Sequence, residues 1–206
     1  MKKILLTGIL SILFSGFSFA QTRFGITAGL NVSNFTRDVG DNNKFNKAGV
    51  QAGVVSDFCI TRNFSIMPEL LFSQRGANSG NVNTTLNYLQ LPVNAAYKFN
   101  VGMGSKVFVF AGPYFGYGIS GSDGVIFGPG GNKKESDFGV DVGVGYEYQK
   151  IFFKLQFNPG LININYPGPT TLSNYENNSL KNTNIAVSVG YFFNWIKRFD
   201  HTNINK

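Results

Sequence analysis

The sequence contains very few of the residues from which reaction centres are built. Its 206 residues include one cysteine, Cys59, and one histidine, His201. A lone cysteine cannot form a disulfide within the chain, which excludes a disulfide-stapled secreted domain. One histidine and one cysteine far apart in the chain do not supply the ligands of a zinc site. Any Ser, His and Asp triad would need His201 as its base. We therefore expect no enzymatic activity, no metal and no cofactor.

Long apolar runs are missing beyond the N-terminal segment. No stretch after residue 20 approaches the about 18 consecutive apolar residues that indicate a transmembrane helix. β-strands cross a bilayer with only about 9 to 11 residues of alternating polarity, which leaves the mean hydropathy close to zero. The mean hydropathy of -0.03 fits such strands, and it fits a soluble protein equally well.

Acidic residues are scarce relative to basic ones, with 11 Asp and Glu against 18 Lys and Arg and a net charge of +7. After residue 20 the bases are scattered along the chain, and only Lys133 with Lys134 and Lys197 with Arg198 are neighbours. Nucleic-acid binding requires a clustered basic surface. We therefore expect no nucleic-acid partner.

The N-terminal segment has the three zones of a Sec-type signal peptide. Lys2 and Lys3 precede an apolar run over residues 4–19, and small residues follow at the cleavage positions. We predict cleavage after Ala20, so that residues 1–20 are removed and Gln21 becomes the N-terminus. An uncleaved membrane anchor is the alternative, but the apolar run is shorter than the about 20 residues that a spanning helix needs.

The remaining chain alternates between apolar and small or polar residues with a period of two, which indicates β-strands. The pattern predicts eight strands, over residues 24–33, 50–58, 64–73, 89–99, 107–119, 138–148, 151–158 and 185–193. In the fifth strand the inward face is predicted to carry Gly112, Gly116 and Gly118. The predicted fold class is all-β. It is a transmembrane antiparallel up-and-down β-barrel of the OmpA/OmpX type over residues 21–193.

The predicted connections alternate in length, which indicates an orientation in the outer membrane. The long connections are 34–47, 74–87, 120–137 and 159–182, and the short ones are 61–63, 100–106 and 149–150. Short turns face the periplasm and long loops face outside in such barrels. Both termini are then periplasmic, including a tail over 194–206 that keeps His201 away from the outer loops. Aromatic residues next to the short turns would form an interfacial girdle: Phe24, Phe58, Phe64, Phe99, Tyr148, Phe153 and Phe193.

Polar and charged residues occupy the faces predicted to point inward. A barrel of about eight strands is only wide enough for its own side chains, so these residues would form a structural network that fills the lumen. The predicted network consists of Asp57, Glu69, Gln90, Lys98, Asp141, Glu147 and Lys154. We expect Lys98 and Lys154 to pair with carboxylates. Asp141 and Glu147 share a face, and we interpret them as ion-pair partners in preference to a catalytic acid and base.

An ordered set of motifs resembles the PorT-like group of small outer-membrane β-barrel proteins of Gram-negative bacteria. The motifs are FGITAGLN (24–31), PELLFSQRG (68–76), NYLQLPV (87–93), GPYFGYGIS (112–120), DFGVDVGVGYEY (137–148) and SVGYFF (188–193). The resemblance implies the fold and the outer-membrane location, and it places Pro68 and Pro92 at bulges or displaced ladder ends. The chain departs from the pattern by continuing beyond Phe193, where such barrels commonly finish.

Three functional hypotheses remain. The first is a structural or interaction protein that acts through extracellular loops centred on 121–136 and 160–181. The second is a component that transports a small solute or assists secretion. The third is a soluble, lipocalin-like binder in the periplasm. The expected partners of a membrane barrel are outer-membrane lipid and lipopolysaccharide, the barrel-assembly machinery, and an envelope or extracellular protein.

Overall fold

The chain forms a closed barrel of eight antiparallel strands. The computed structural model describes residues 22–37, 46–79, 82–122, 127, 134–163 and 180–193. The strands are β1 (Thr22–Arg37), β2 (Lys47–Cys59), β3 (Phe64–Ser79), β4 (Val82–Gly102), β5 (Ser105–Gly121), β6 (Ser136–Tyr148), β7 (Ile151–Pro159) and β8 (Leu180–Phe193). Each strand pairs with the next, and β8 returns to pair with β1. The predicted fold class is confirmed.

The alternation of the sequence decides which side chains enter the barrel. Along β6, Phe138 and Val144 point outward, whereas Asp141 and Glu147 on the other face are buried. The same division runs around the wall, so that the outer surface is apolar: Leu30, for example, is 69% exposed. A soluble barrel has the opposite arrangement, because it buries apolar side chains and exposes polar ones. The outer wall therefore suits a hydrocarbon environment.

The strands extend further than the apolar alternation predicts. The predicted long connection over 74–87 is wrong, because the β3–β4 ladder continues to the pair Ser79 and Val82. The two strands are thus separated only by residues 80 and 81. Beyond the apolar band a strand can be polar on both faces, so hydropathy no longer marks its course. For the same reason β1 runs to Arg37 and β5 to Gly121, inside segments predicted to be loops.

The opposite end of the barrel, which we call the turn rim, carries three short turns. They connect β2 to β3, β4 to β5 and β6 to β7. In the second turn Gly102, Met103 and Gly104 all have positive φ angles, of 96°, 49° and 77°. Glycine adopts this conformation without a steric penalty, so these glycines allow a tight reversal after β4. The predicted link over 100–106 is correspondingly shorter in the structure. The end with the other connections is the loop rim.

Two prolines lie at interruptions of the ladders. In the β2–β3 ladder the pairs Val55–Glu69 and Phe58–Ile66 flank an unpaired stretch that contains Pro68. In the β3–β4 ladder Pro92 lies in the gap that follows the pair of Pro68 and Val93. Proline has no N–H to donate, so these positions avoid a lost ladder bond.

The lumen also contains an apolar cluster. Its members are Val55, Met67, Ala96, Phe108, Phe110, Phe152 and Phe192. The rings lie against glycines of neighbouring strands: Phe108 against Gly145, and Phe152 against Gly190. A side chain at either glycine would occupy the space of the ring. The predicted lumen of glycine and polar residues therefore needs correction, since aromatic residues fill part of it.

Candidate functional site: the barrel lumen

A cluster of four charged residues lies in the lumen near the turn rim. Lys98 Nζ is 2.6 Å from Asp57 Oδ2, and Arg23 Nη1 is 2.6 Å from Glu147 Oε1. Arg23 also donates from Nε to Asp57 Oδ2 over 3.0 Å. The four residues belong to β1, β2, β4 and β6, so the cluster connects strands around the whole circumference. The guanidinium lies 4.2 Å from the centroid of the Phe192 ring, which joins the cluster to the apolar residues.

A second ion pair crosses the lumen. Lys154 Nζ on β7 lies 2.5 Å from Glu69 Oε1 on β3, and both side chains are 1% exposed. The ammonium group is 5.7 Å from the centroid of Phe110 and 5.8 Å from that of Phe152. Aromatic faces attract a cation at this distance. The pair therefore connects opposite walls of the barrel in a buried site.

Asp141 is held by amide groups. It accepts hydrogen bonds from Asn94 over 2.8 Å, from Asn158 over 2.8 Å and from Gln156 over 3.2 Å. Glu147 lies six residues away on the same strand, about 20 Å at about 3.3 Å per residue, and it bonds to Arg23. The two carboxylates thus have separate partners and are too far apart to act together as an acid and base pair.

A third charged cluster lies towards the loop rim. Arg75 Nη1 is 3.3 Å from Asp137 Oδ2, and both side chains are 1% exposed. The same oxygen accepts hydrogen bonds from Tyr114 over 3.3 Å and from Asn182 over 3.0 Å. Tyr88 is fully buried beside them and accepts a hydrogen bond from Asn182. Residues of β3, β5 and β8 thus all bond to the carboxylate of Asp137 on β6.

Sequence reasoning missed Arg23, Arg75 and Asp137 as members of the network. Arg75 and Asp137 fell in predicted loops, although the odd-numbered inward positions of β3 run unbroken from Glu69 to Arg75. Arg23 continues the inward face of β1 in the same way. Extending the alternation by one or two positions past each apolar run would have found all three.

The other predicted site residues have different outcomes. Gln90 is buried in the lumen at 4% exposure. The predicted cleavage residues Ala20 and Gln21, the tail over 194–206 and most of the loops centred on 121–136 and 160–181 lie outside the described residues. In the part of the chain that the structure describes, no group of three or more His, Cys, Asp or Glu is placed to hold a metal ion. That part also contains no helix long and apolar enough to cross a membrane.

The lumen is thus occupied by side chains at every level between the two rims. Ion pairs lie near the turn rim, across the middle and near the loop rim. Glutamine and serine residues add bonds between these levels, among them Gln51 to Ser188 over 2.8 Å. Chemically this arrangement can hold the strands in one register and exclude ions from the interior.

Comparisons with known proteins agree with this architecture. A family model described as "Outer membrane protein beta-barrel domain" matches residues 19–166. The crystal structure of neisserial surface protein A aligns with a TM-score of 0.50 and 12% identity, covering 82% of this chain and 97% of that one. OprG from Pseudomonas aeruginosa aligns with a TM-score of 0.44 and 13% identity, covering 83% and 95%. At 12% identity the likeness to neisserial surface protein A shows the fold alone. A search of curated proteins finds no match.

Proposed function

The chain belongs to the outer membrane protein β-barrel domain family, and on this premise we propose that it is a non-enzymatic barrel with a closed lumen. In this proposal the barrel acts as a structural or interaction protein, and its loop-bearing end contacts an envelope or extracellular protein. The apolar outer wall and the charged interior support a membrane position over a soluble, lipocalin-like binder.

The observation that carries the proposal is the filling of the lumen. Lys154 and Glu69 meet in the middle of the barrel at 1% exposure each, and the rings of Phe110 and Phe152 lie beside them. A hydrated ion that followed the barrel axis would have to displace this ion pair and its aromatic neighbours. A barrel of about eight strands has no spare width for such a path.

The orientation and the route to the membrane are part of the same proposal. Residues 1–20 act as a Sec-type signal that is removed after Ala20, and the barrel-assembly machinery inserts the mature chain. The even number of strands supports placing both termini on one side, and the short turns support assigning that side to the periplasm. The ordered motifs over 24–193 support the PorT-like group as the branch of the family.

Two measurements on the purified full-length protein test the proposal. Folded barrels resist detergent, so we expect an unboiled sample to migrate differently from a boiled one on a gel. In planar bilayers we expect no steady current from the natural sequence. We expect channel openings from the double variant Lys154→Ala and Glu69→Ala, which removes the central ion pair and empties the space it fills.

Each contrary result points to one alternative. Steady currents through the unaltered protein would refute the closed lumen and favour transport of a small solute. Recovery of the protein in the soluble periplasmic fraction, without detergent and without heat-modifiable migration, would refute the membrane position and favour the soluble binder.

A further inference from the structure

The charges outside the lumen are distributed unevenly between the two rims. Three bases lie in or beside the turns at the turn rim: Arg62 in the first turn, Lys106 at the start of β5 after the second, and Lys150 in the third. The described residues of these turns include no acid. The two acids at this end, Asp57 and Glu147, are turned into the lumen, where Arg23 and Lys98 neutralise them. The turn rim is therefore a positively charged surface.

The loop rim is close to neutral by comparison. Residues 34–47, 74–87, 120–137 and 159–182 together contain seven bases and six acids. The segment that follows β8, residues 194–206, adds three bases and one acid after the strand has reached the turn rim. The connections at the loop rim are thus nearly balanced in charge, whereas the described turns and the start of β5 carry bases without an acid.

The positions of these bases indicate what kind of surface they would bind. Lys150 Nζ lies 6.0 Å from the centroid of Tyr191, a residue of the outer wall. Arg62 is exposed in its turn. Lys106 is half-buried and lies opposite Glu147 in the register of the β5–β6 ladder, which places it on the inward face at the edge of the lumen. At least two of the three bases therefore lie outside the lumen, where the wall meets its surroundings.

Apolar side chains project beside the bases. Val101 is 57% exposed, and Met103 at the tip of the second turn is 97% exposed. Bases combined with projecting apolar groups are typical of surfaces that lie in a membrane interface, where the apolar groups enter the acyl region and the bases contact anionic headgroups.

We propose that the turn rim binds the phosphate headgroups of anionic phospholipids through Arg62 and Lys150, with Lys106 at the edge of the lumen adding to its positive charge. The inference rests on the proposed membrane position. It assigns lipid recognition to the end with the short turns, and the nearly neutral loop rim contributes little to it. The partner is the lipid leaflet itself, since Lys150 lies beside Tyr191 of the outer wall and Arg62 is exposed in its turn.

Native mass spectrometry of the full-length protein in detergent micelles tests the inference. The protein is titrated with phosphatidylglycerol or with phosphatidylcholine of the same acyl chains. A base near an anionic surface contributes about 1 kcal/mol, or about fivefold in affinity. We therefore expect phosphatidylglycerol to bind at least about tenfold more tightly. Raising ammonium acetate from about 0.1 to about 1 M shortens the screening length from about 10 to about 3 Å and should reduce that preference.

Two matched triple variants locate the site. We expect Arg62→Gln, Lys106→Gln and Lys150→Gln together to abolish the preference. The same change at three loop-rim bases, Lys47→Gln, Lys134→Gln and Lys181→Gln, should leave it intact. Heat-modifiable migration of each variant shows that it is folded, and Arg62→Gln alone, expected to weaken the preference about fivefold, replaces the turn-rim triple variant if that one does not fold.

The outcomes that overturn the inference are distinct from failure of the membrane barrel. Equal binding of the two lipids by a protein that shows heat-modifiable migration would refute it. Loss of the preference in the loop-rim variant, or its survival in the turn-rim variant, would do the same. Binding to purified peptidoglycan sacculi that depends on the three turn-rim bases, without a lipid preference, would identify the cell wall as the partner. Absence of heat-modifiable migration would instead count against the proposed function.

Discussion

Removing one partner of the central ion pair should strongly destabilise the barrel. Among the described residues, Lys154 Nζ is the one hydrogen-bond donor to Glu69, whose Oε2 has no partner. Lys154→Met keeps most of the volume and the apolar stem of the side chain but removes the charge. Glu69 would then be a buried carboxylate with neither oxygen bonded, which must stay charged without a partner or take up a proton.

The expected loss follows from this unpaired charge. Breaking a buried ion pair by removing one partner costs about 3–5 kcal/mol, whereas replacing both partners by apolar groups is often close to neutral. We therefore expect Lys154→Met to lower the free energy of unfolding by about 4 kcal/mol. The double variant Lys154→Met and Glu69→Met should recover at least half of that loss, because no buried charge remains.

Urea titration in lipid vesicles measures the effect, with the folded fraction read from the unboiled gel band. With a slope of about 2 kcal/mol per M, a loss of about 4 kcal/mol lowers the unfolding midpoint by about 2 M. Lys134→Met is the matched control, because Lys134 lies at the loop rim and is not buried. Its midpoint should move by less than about 0.3 M, since surface changes are usually within about 0.5 kcal/mol.

A midpoint for Lys154→Met within about 0.5 M of the natural protein would refute this reasoning. So would a double variant less stable than Lys154→Met alone. Either result would mean that water reaches Glu69, and that the ion pair contributes no more than an exposed pair does.

Two further substitutions test the packing of the lumen and the conformation of the turn, by the same urea titration. Gly145→Ala should lower the free energy of unfolding by about 1–3 kcal/mol, because the added Cβ would overlap the Phe108 ring. Gly116→Ala is the control and should change it by less than about 1 kcal/mol, because the atom nearest to its added Cβ would be 3.4 Å away. Equal losses in the two variants would contradict the steric account. Met103→Asn relieves the positive φ of this turn residue, worth about 0.5–1 kcal/mol, but removes the apolar side chain that the proposed lipid contact uses. We therefore expect no rise of the unfolding midpoint in lipid vesicles, and a clear rise would show that the Met103 side chain makes no contact with lipid.

The sequence predicts the faces of the strands well because period-two alternation is a local property. The inward positions of Asp57, Glu69, Lys98 and Lys154 follow from the residues on either side of each one. The eight-strand closure follows from the number of alternating runs and is confirmed. Hydropathy carries no such information beyond the apolar band, which is why the connection over 74–87 was predicted wrongly.

The pairing of the charges depends on geometry that no single strand contains. Lys154 reaches Glu69 from β7 to β3, and Arg23 reaches Glu147 from β1 to β6. These pairs join strands that are not neighbours in the sheet, so they are set by the diameter of the barrel and by the stagger of its strands. A sequence pattern assigns a face to each charge but does not assign its partner across the lumen.

The ion pairs of the lumen also restrict the register of the strands. Because successive side chains alternate between faces, a slip of β7 by one residue would turn Lys154 and its inward neighbours into the hydrocarbon. A lysine on the lipid face costs about 2–4 kcal/mol at the bilayer midplane, and the slip would also leave Glu69 unpaired. The apolar outer residues favour the correct register less strongly than the charges do. They contact lipid in every register that keeps them on the outer face of the barrel. A buried ion pair adds little to stability over an apolar pair, but here each charge makes the wrong register much more costly than the right one. The charged interior of this barrel is thus better explained by the selection of a single strand register than by any gain in stability.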